Sequence, residues 1–216
     1  MNQKLAKVIS ILFHPILMPT LMAILIVYSH PQQFTDTTKI HNEVRLMYYG
    51  AITIIFPLFS LFLMRKLDII SSYAINDSKE RFIPLIAIGT FWLWTYFMFK
   101  EDGLYLTSSY YPIGIMTLGS LISLFILFPL NFVSNVSWQM VGAGALISLI
   151  LNILPTSQYN LIYILLAAIV EAGLIASAQL ALDRSNKSGL MLSFLIGFFG
   201  QFVAFNIWHR LLSSGF

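Results

Sequence analysis

The sequence predicts an all-α bundle of about six or seven membrane-spanning helices, forming a single integral membrane domain over residues 1–216. Two observations carry that prediction. Hydrophobic residues make up 58% of the chain and charged residues only 10%, with a mean hydropathy of +0.81, whereas soluble domains carry roughly 25% charged residues. The apolar residues also fall in long unbroken runs instead of alternating. In a bilayer the backbone must satisfy its own hydrogen bonds, and continuous apolar runs select helices over a closed barrel. Cysteine is absent, which excludes disulfides and thiolate metal centres. The net charge of +3 is small and gives no sign of a nucleic-acid partner. No cofactor is expected.

The elements follow in order. The first apolar run, Val8 to Tyr28, reads as a retained helix kinked at His14-Pro15 and Pro19, because a proline inside a membrane helix frees a carbonyl that neighbours must take up. Ser29 to Arg45 reads as a polar connection. A second helix runs from Leu46 to Met64 around Pro57 and stops at Arg65-Lys66. Leu67 to Arg81 is the most charged stretch. A third helix, Phe82 to Phe99, has Pro84 in its first turn, where a missing N–H costs little. Its aromatics Trp92, Trp94, Tyr96 and Phe97 read as lipid-facing or interfacial. A fourth helix spans Pro112 to Leu130, a fifth Met140 to Leu154, a sixth Leu161 to Leu182 and a seventh Gly189 to Trp208. Gly142 and Gly144 permit close helix contact.

Seven spans impose a parity. The N-terminus, the 65–81 loop, the 131–139 link and the 183–188 link then lie on one face, so their polar groups are free to converge. Eight Lys and Arg residues fall on that face and four on the other, which favours a cytoplasmic clustered face. Four of the eight, Lys79, Arg81, Arg184 and Lys187, have a ligand as an alternative reason to be there.

The best candidate for a site is the polar knot Asp183 to Ser188. It holds two cations, Arg184 and Lys187, and three small polar side chains, Ser185, Asn186 and Ser188, between two apolar runs. That set suits a phosphate and supplies neither nucleophile nor proton carrier. Lys79 and Arg81 before the third helix read either as a phosphate clamp or as interfacial charge. Glu171 sits within an apolar run, where an acid is a functional candidate by default. His14 reads as part of a kink with a satisfied ring.

Four segments carry a resemblance. FHPILMPT in the first helix, NDSKERFIP before the third, NVSWQMVG before the fifth and SAQLALDRSNKS before the seventh resemble a membrane branch of the phosphatidic-acid-phosphatase type 2 superfamily, across nearly the whole chain. The resemblance implies a lipid-phosphate-phosphatase-like bundle in the inner membrane of a bacterium. Active members dephosphorylate lipid phosphates without a metal, using the motifs K-x6-R-P, P-S-G-H and S-R-x5-H-x3-D. The third-motif His attacks phosphorus, its Asp orients that His, the second-motif His protonates the leaving oxygen, and Lys and Arg stabilise the phosphoryl charge.

Position by position, the chemistry is missing here. Gln179 stands where the third-motif Arg is expected, Ser185 where the nucleophilic His is expected and Gly189 where its Asp is expected. Ser137 matches the second motif, but Gln139 replaces the acid His. Arg81 precedes Pro84 by three positions instead of one, and Ala74 stands where the motif's Lys would be. Losing a general acid alone costs about 10²–10⁴ in rate. The expectation is therefore a pseudo-enzyme that has no catalytic residues. Lys79, Arg81, Ser137, Gln139, Arg184, Ser185 and Lys187 are its candidate ligand-binding residues. Its partners are membrane lipids and lipid phosphates, or a protein subunit of a membrane complex. Two alternatives stand beside it: a working phosphatase with unorthodox residues, such as Ser185 activated by His14, and a transporter with Glu171 as its proton site.

Overall fold

A computed structural model describes residues 2–29, 39–70, 82–101, 111–155, 157 and 160–213. Among the described residues there are nine α-helices and no strand: α1 (Gln3–Leu12), α2 (Met18–Ser29), α3 (Lys39–Gly50), α4 (Phe56–Lys66), α5 (Phe82–Glu101), α6 (Tyr111–Val133), α7 (Trp138–Ile153), α8 (Ile162–Ala181) and α9 (Lys187–Ser213). Four segments are long and apolar enough to cross a membrane: Glu43–Lys66, Ile113–Asn131, Ile162–Ala181 and Lys187–Ile207. Shorter apolar helices, Met18–Tyr28, Phe82–Met98 and Trp138–Ile153, pack among them.

The first run is not one kinked helix. It breaks into α1 and α2 across Phe13 to Leu17. Pro15 has no N–H to return to Ile11, and a residue before proline, here His14, is pushed out of the helical region. Asn2 caps the start of α1 by accepting from the Lys4 N–H at 3.1 Å, as small polar side chains do at helix starts.

The second run is longer than expected. Lys39 to Arg45, read as connection, is helical, and α3 leads to α4 through a π-helical segment, Ala51–Ile55. That wide turn directly precedes Pro57, whose ring needs room and which can donate no N–H to residue 53. The Thr53 hydroxyl donates to the Tyr49 carbonyl at 2.7 Å and meets the Thr20 hydroxyl at 2.6 Å.

Helix α7 is the centre of the bundle, with most of its residues buried. Its closest neighbour is α9. A Cβ on Gly197 would run into the Val141 carbonyl oxygen, and one on Gly144 into that of Phe194. The two backbones touch, which only glycine permits. Around them Met22, Ile115, Met116, Leu149 and Ile175 form the main core. A small separate cluster of Ala6, Ile9 and Ala178 seats α1 on α8. On α5, Trp94 and Phe97 are exposed, as lipid-facing residues would be. Trp92 is half-buried, with its indole Nε1 covered.

Candidate functional site

Two helix ends and one helix start build the site. Ser137 caps α7, accepting from the Met140 N–H. Its own N–H donates to the Ser193 hydroxyl at 2.8 Å, and that hydroxyl donates to the Gly189 carbonyl at 2.6 Å. The start of α7 is thereby fixed against α9. Because α7 begins at Trp138, Gln139 lies inside its first turn and not in the preceding link.

Helix α8 ends at Leu182 with two backward bonds. The Asp183 N–H reaches the Leu180 carbonyl and the Arg184 N–H reaches that of Gln179 at 3.1 Å. This closure needs a left-handed residue after the cap, and Asp183 supplies it at φ 51°. Helix α4 ends the same way, also at a Leu-Asp pair, with Asp68 at φ 54°. The turn after Asp183 aims Arg184 back toward α1. Asn186 then caps α9 by accepting from the Gly189 N–H at 2.7 Å, so α9 starts at Lys187, two residues earlier than expected.

These ends meet in one hydrogen-bonded chain. The side-chain amide of Gln179 donates to the side-chain carbonyl of Gln139. The Gln139 amide donates to the Ser10 carbonyl at 2.6 Å and also lies 3.3 Å from the Ser10 hydroxyl. Arg184 Nη1 donates to that hydroxyl at 2.8 Å. Gln139, Gln179 and Ser10 are each at most 6% exposed.

The chain forms the floor of a cavity of about 670 Å³. Its wall includes Lys7, Ser10 and His14 from α1 and the break after it, Leu61 of α4, and Pro84 and Ile88 of α5. Asn135, Ser137, Trp138 and Gln139 enter from the start of α7, and Gln179, Asp183, Arg184 and Ser185 from the end of α8. Lys7 and Arg184 give the wall two positive charges against the one negative charge of Asp183. The Arg184 guanidinium is held by the Ser10 hydroxyl and not by a carboxylate. The Nδ1 of His14 accepts from the Ile16 N–H at 3.4 Å, which leaves the ring proton on Nε2. Burial, and then the positive charge of Arg184, hold the imidazole below its ordinary pKa. It is therefore a neutral donor at neutral pH. No three His, Asp or Glu side chains among the described residues stand close enough to hold a metal ion.

Of the residues singled out in the sequence, Ser137, Gln139, Gln179, Arg184 and Ser185 line this one cavity. Lys187 is exposed and Gly189 is buried, and neither belongs to the wall. Glu171 lies on α8, away from the cavity. Lys79 and Arg81 fall outside the described residues. Sequence reasoning missed Ser10 and did not assign Lys7 to the site. The signal was present: Lys7, Ser10 and His14 are spaced three and four apart, the repeat of a single helix face. No protein-family model, curated protein or solved structure matches the chain.

Proposed function

We propose that this protein is a catalytically degraded relative of the lipid phosphate phosphatases. On this reading it crosses a bacterial cytoplasmic membrane seven times and binds lipid phosphates in the cavity without hydrolysing them. One observation carries the reading. The positions that the resemblance assigns to the second and third motifs, Ser137, Gln139, Gln179 and Ser185, come from two separate segments and yet line the same cavity. Lys7 and Arg184 supply positive charge for phosphoryl oxygens, with Ser185 and the His14 N–H as further donors.

The same geometry argues against turnover. A carboxamide neither attacks phosphorus nor carries a proton. Gln139 and Gln179 are engaged with each other where the resemblance implies an imidazole and a guanidinium. An aspartate cannot be rebuilt at Gly189 without displacing the Asn135 carbonyl, which a Cβ there would meet.

The test is direct. Purified protein given phosphatidic acid or undecaprenyl diphosphate is expected to release no phosphate above a mock preparation. The same lipids are expected to raise its melting temperature. Turnover that disappears in Ser185→Ala would overturn the reading. It would favour the working-hydrolase alternative, which has one observation behind it: a neutral His14 shares the cavity with Ser185. Binding of neither lipid, together with a stoichiometric protein partner in mild detergent, would favour a subunit role. The transport alternative gains no support from the position of Glu171.

A further inference from the structure

Glu171 is an acid that the cavity does not use. It is the tenth of the twenty residues of α8, Ile162–Ala181, and that helix is one of the four segments able to cross a membrane. A rise of 1.5 Å per residue puts it roughly 15 Å from either end, at the middle of the hydrocarbon layer. Among the described residues no hydrogen bond or ion pair reaches its carboxyl. Lipid headgroups do not reach that depth, and a polar group without a partner there is expensive. The packing of α8 shows from which side a partner comes. Ala168, Ala172 and Ile175 are buried against the bundle. Glu171 is half-buried at the edge of that stripe, while Ala167 and Leu174, its neighbours one turn away on the outer side, are exposed.

A cation or a second acid would satisfy the group. Within the four spanning segments the cations Arg45, Arg65, Lys66 and Lys187 all stand at the ends, so another copy of the chain brings no cation to the midplane. It does bring the same acid. A two-fold axis along the membrane normal sets Glu171 opposite its counterpart at the same depth, and such an interface is closed and self-complementary. A carboxylic acid is both donor and acceptor, so two of them face to face exchange two hydrogen bonds and leave no donor unpaired. The small side chain of Ala167 lets the helices approach. We propose that the protein is a homodimer whose two α8 helices meet at Glu171, each carboxylic acid hydrogen-bonded to that of the other copy. This goes beyond the lipid-phosphate reading and does not depend on it.

The experiment uses the full-length protein, whose lack of cysteine makes any introduced thiol unique. Ala167→Cys and Leu174→Cys, on the Glu171 side of α8, are expected to give disulfide-linked dimers when membranes are oxidised with copper phenanthroline. Ile169→Cys is equally exposed to lipid but lies on the far side of the helix, and is expected to stay monomeric. The dimer is then titrated in mild detergent. Two interhelical hydrogen bonds correspond to about a tenfold change in dissociation constant. Glu171→Leu is expected to weaken the dimer by that factor, whereas Glu171→Gln, whose amide also donates and accepts, is expected to keep it. A monomer in both membrane and detergent overturns the proposal. So does cross-linking at Ile169→Cys as strong as at the other two positions, an undiminished dimer in Glu171→Leu, or cross-linking of the Glu171 side to a different protein. The cysteine comparison leaves Glu171 in place, so a Glu171 variant that fails to fold does not remove the test.

Discussion

The side-chain amide of Gln179 donates to the side-chain carbonyl of Gln139, and so joins the last turn of α8 to the first turn of α7. Gln139 passes the connection on to Ser10, and Arg184 closes it from the other side. Three helices are thus tied at one end by two neutral amides, a serine and one guanidinium, in the place where the resemblance puts a proton-transferring centre. An amide pair gains nothing from titration. What it provides is geometry, holding α1 against α8 and the cavity open above.

That linkage is measurable. Gln139→Ala leaves the Gln179 amide without its acceptor, and Gln179→Ala leaves the Gln139 carbonyl without its donor. Each is expected to cost about 1–3 kcal/mol, the penalty for stranding a buried polar group. Because the two share one bond, the double variant is expected to cost less than the sum, by about 0.5 kcal/mol or more. A double-mutant cycle on denaturant unfolding in detergent reads this. Additive losses would mean that the amides act independently.

The α7–α9 contact gives a sharper contrast between two glycines. Gly197 sits against the Val141 carbonyl, whereas Gly173 on α8 has open space where a side chain would go. Gly197→Ala must force the helices apart and is expected to cost about 1–3 kcal/mol, as overpacking does. Gly173→Ala is expected to be neutral or to stabilise by up to about 1 kcal/mol through helix propensity. Unfolding of the two variants side by side checks both signs at once.

The class of fold is legible in the sequence because it rests on local quantities: apolar content, run length and the scarcity of charge all survive without knowledge of neighbours. The helix ends are less so. His14-Pro15 and Pro57 announce disturbances, but the first proved a break and the second follows a π turn. Which one forms depends on whether nearby groups can take up the freed carbonyls, and those groups are tertiary. Gln139 and Gln179 are forty residues apart. Only the parity of the spans and the resemblance brought them to one face, and neither indicates that they bond. Trp92 was unreadable for a different reason. Helix α5 is apolar on every side, so nothing in its pattern says which residues face inward. Ser10 is the avoidable omission, since its helical spacing with Lys7 and His14 was visible throughout.

Asp183 holds a left-handed backbone, φ 51°, that favours glycine. Asp183→Gly is expected to stabilise the fold by up to about 1 kcal/mol, because the Cβ penalty of that region disappears. Asp68→Gly is expected to gain less, since it also loses the exposed pair with Arg65, worth about 0–1 kcal/mol. Asp183 also contributes the negative charge on the cavity wall, so its removal is expected to tighten binding of phosphatidic acid. Chemical unfolding and lipid titration of the same variant separate the two effects, and a destabilised Asp183→Gly would contradict the backbone argument.

The pH dependence follows from His14, which lies in the break between α1 and α2 and outside the spanning segments. Burial, and then Arg184, depress its pKa in the folded protein, from an ordinary value of about 6.5. A depressed value means that folding favours the neutral ring. Its contribution to stability is therefore full above about pH 6.5 and is lost as the pH falls through the lower folded value. Arg184→Gln is expected to move the His14 titration upward but not fully back, because burial, the larger cause, remains. Titration of the His14 ring by NMR in the intact protein, with and without that substitution, checks the direction. A ring that titrates above its ordinary value would mean that His14 carries a charge into the cavity, and that the site binds with a cation where a neutral donor is described.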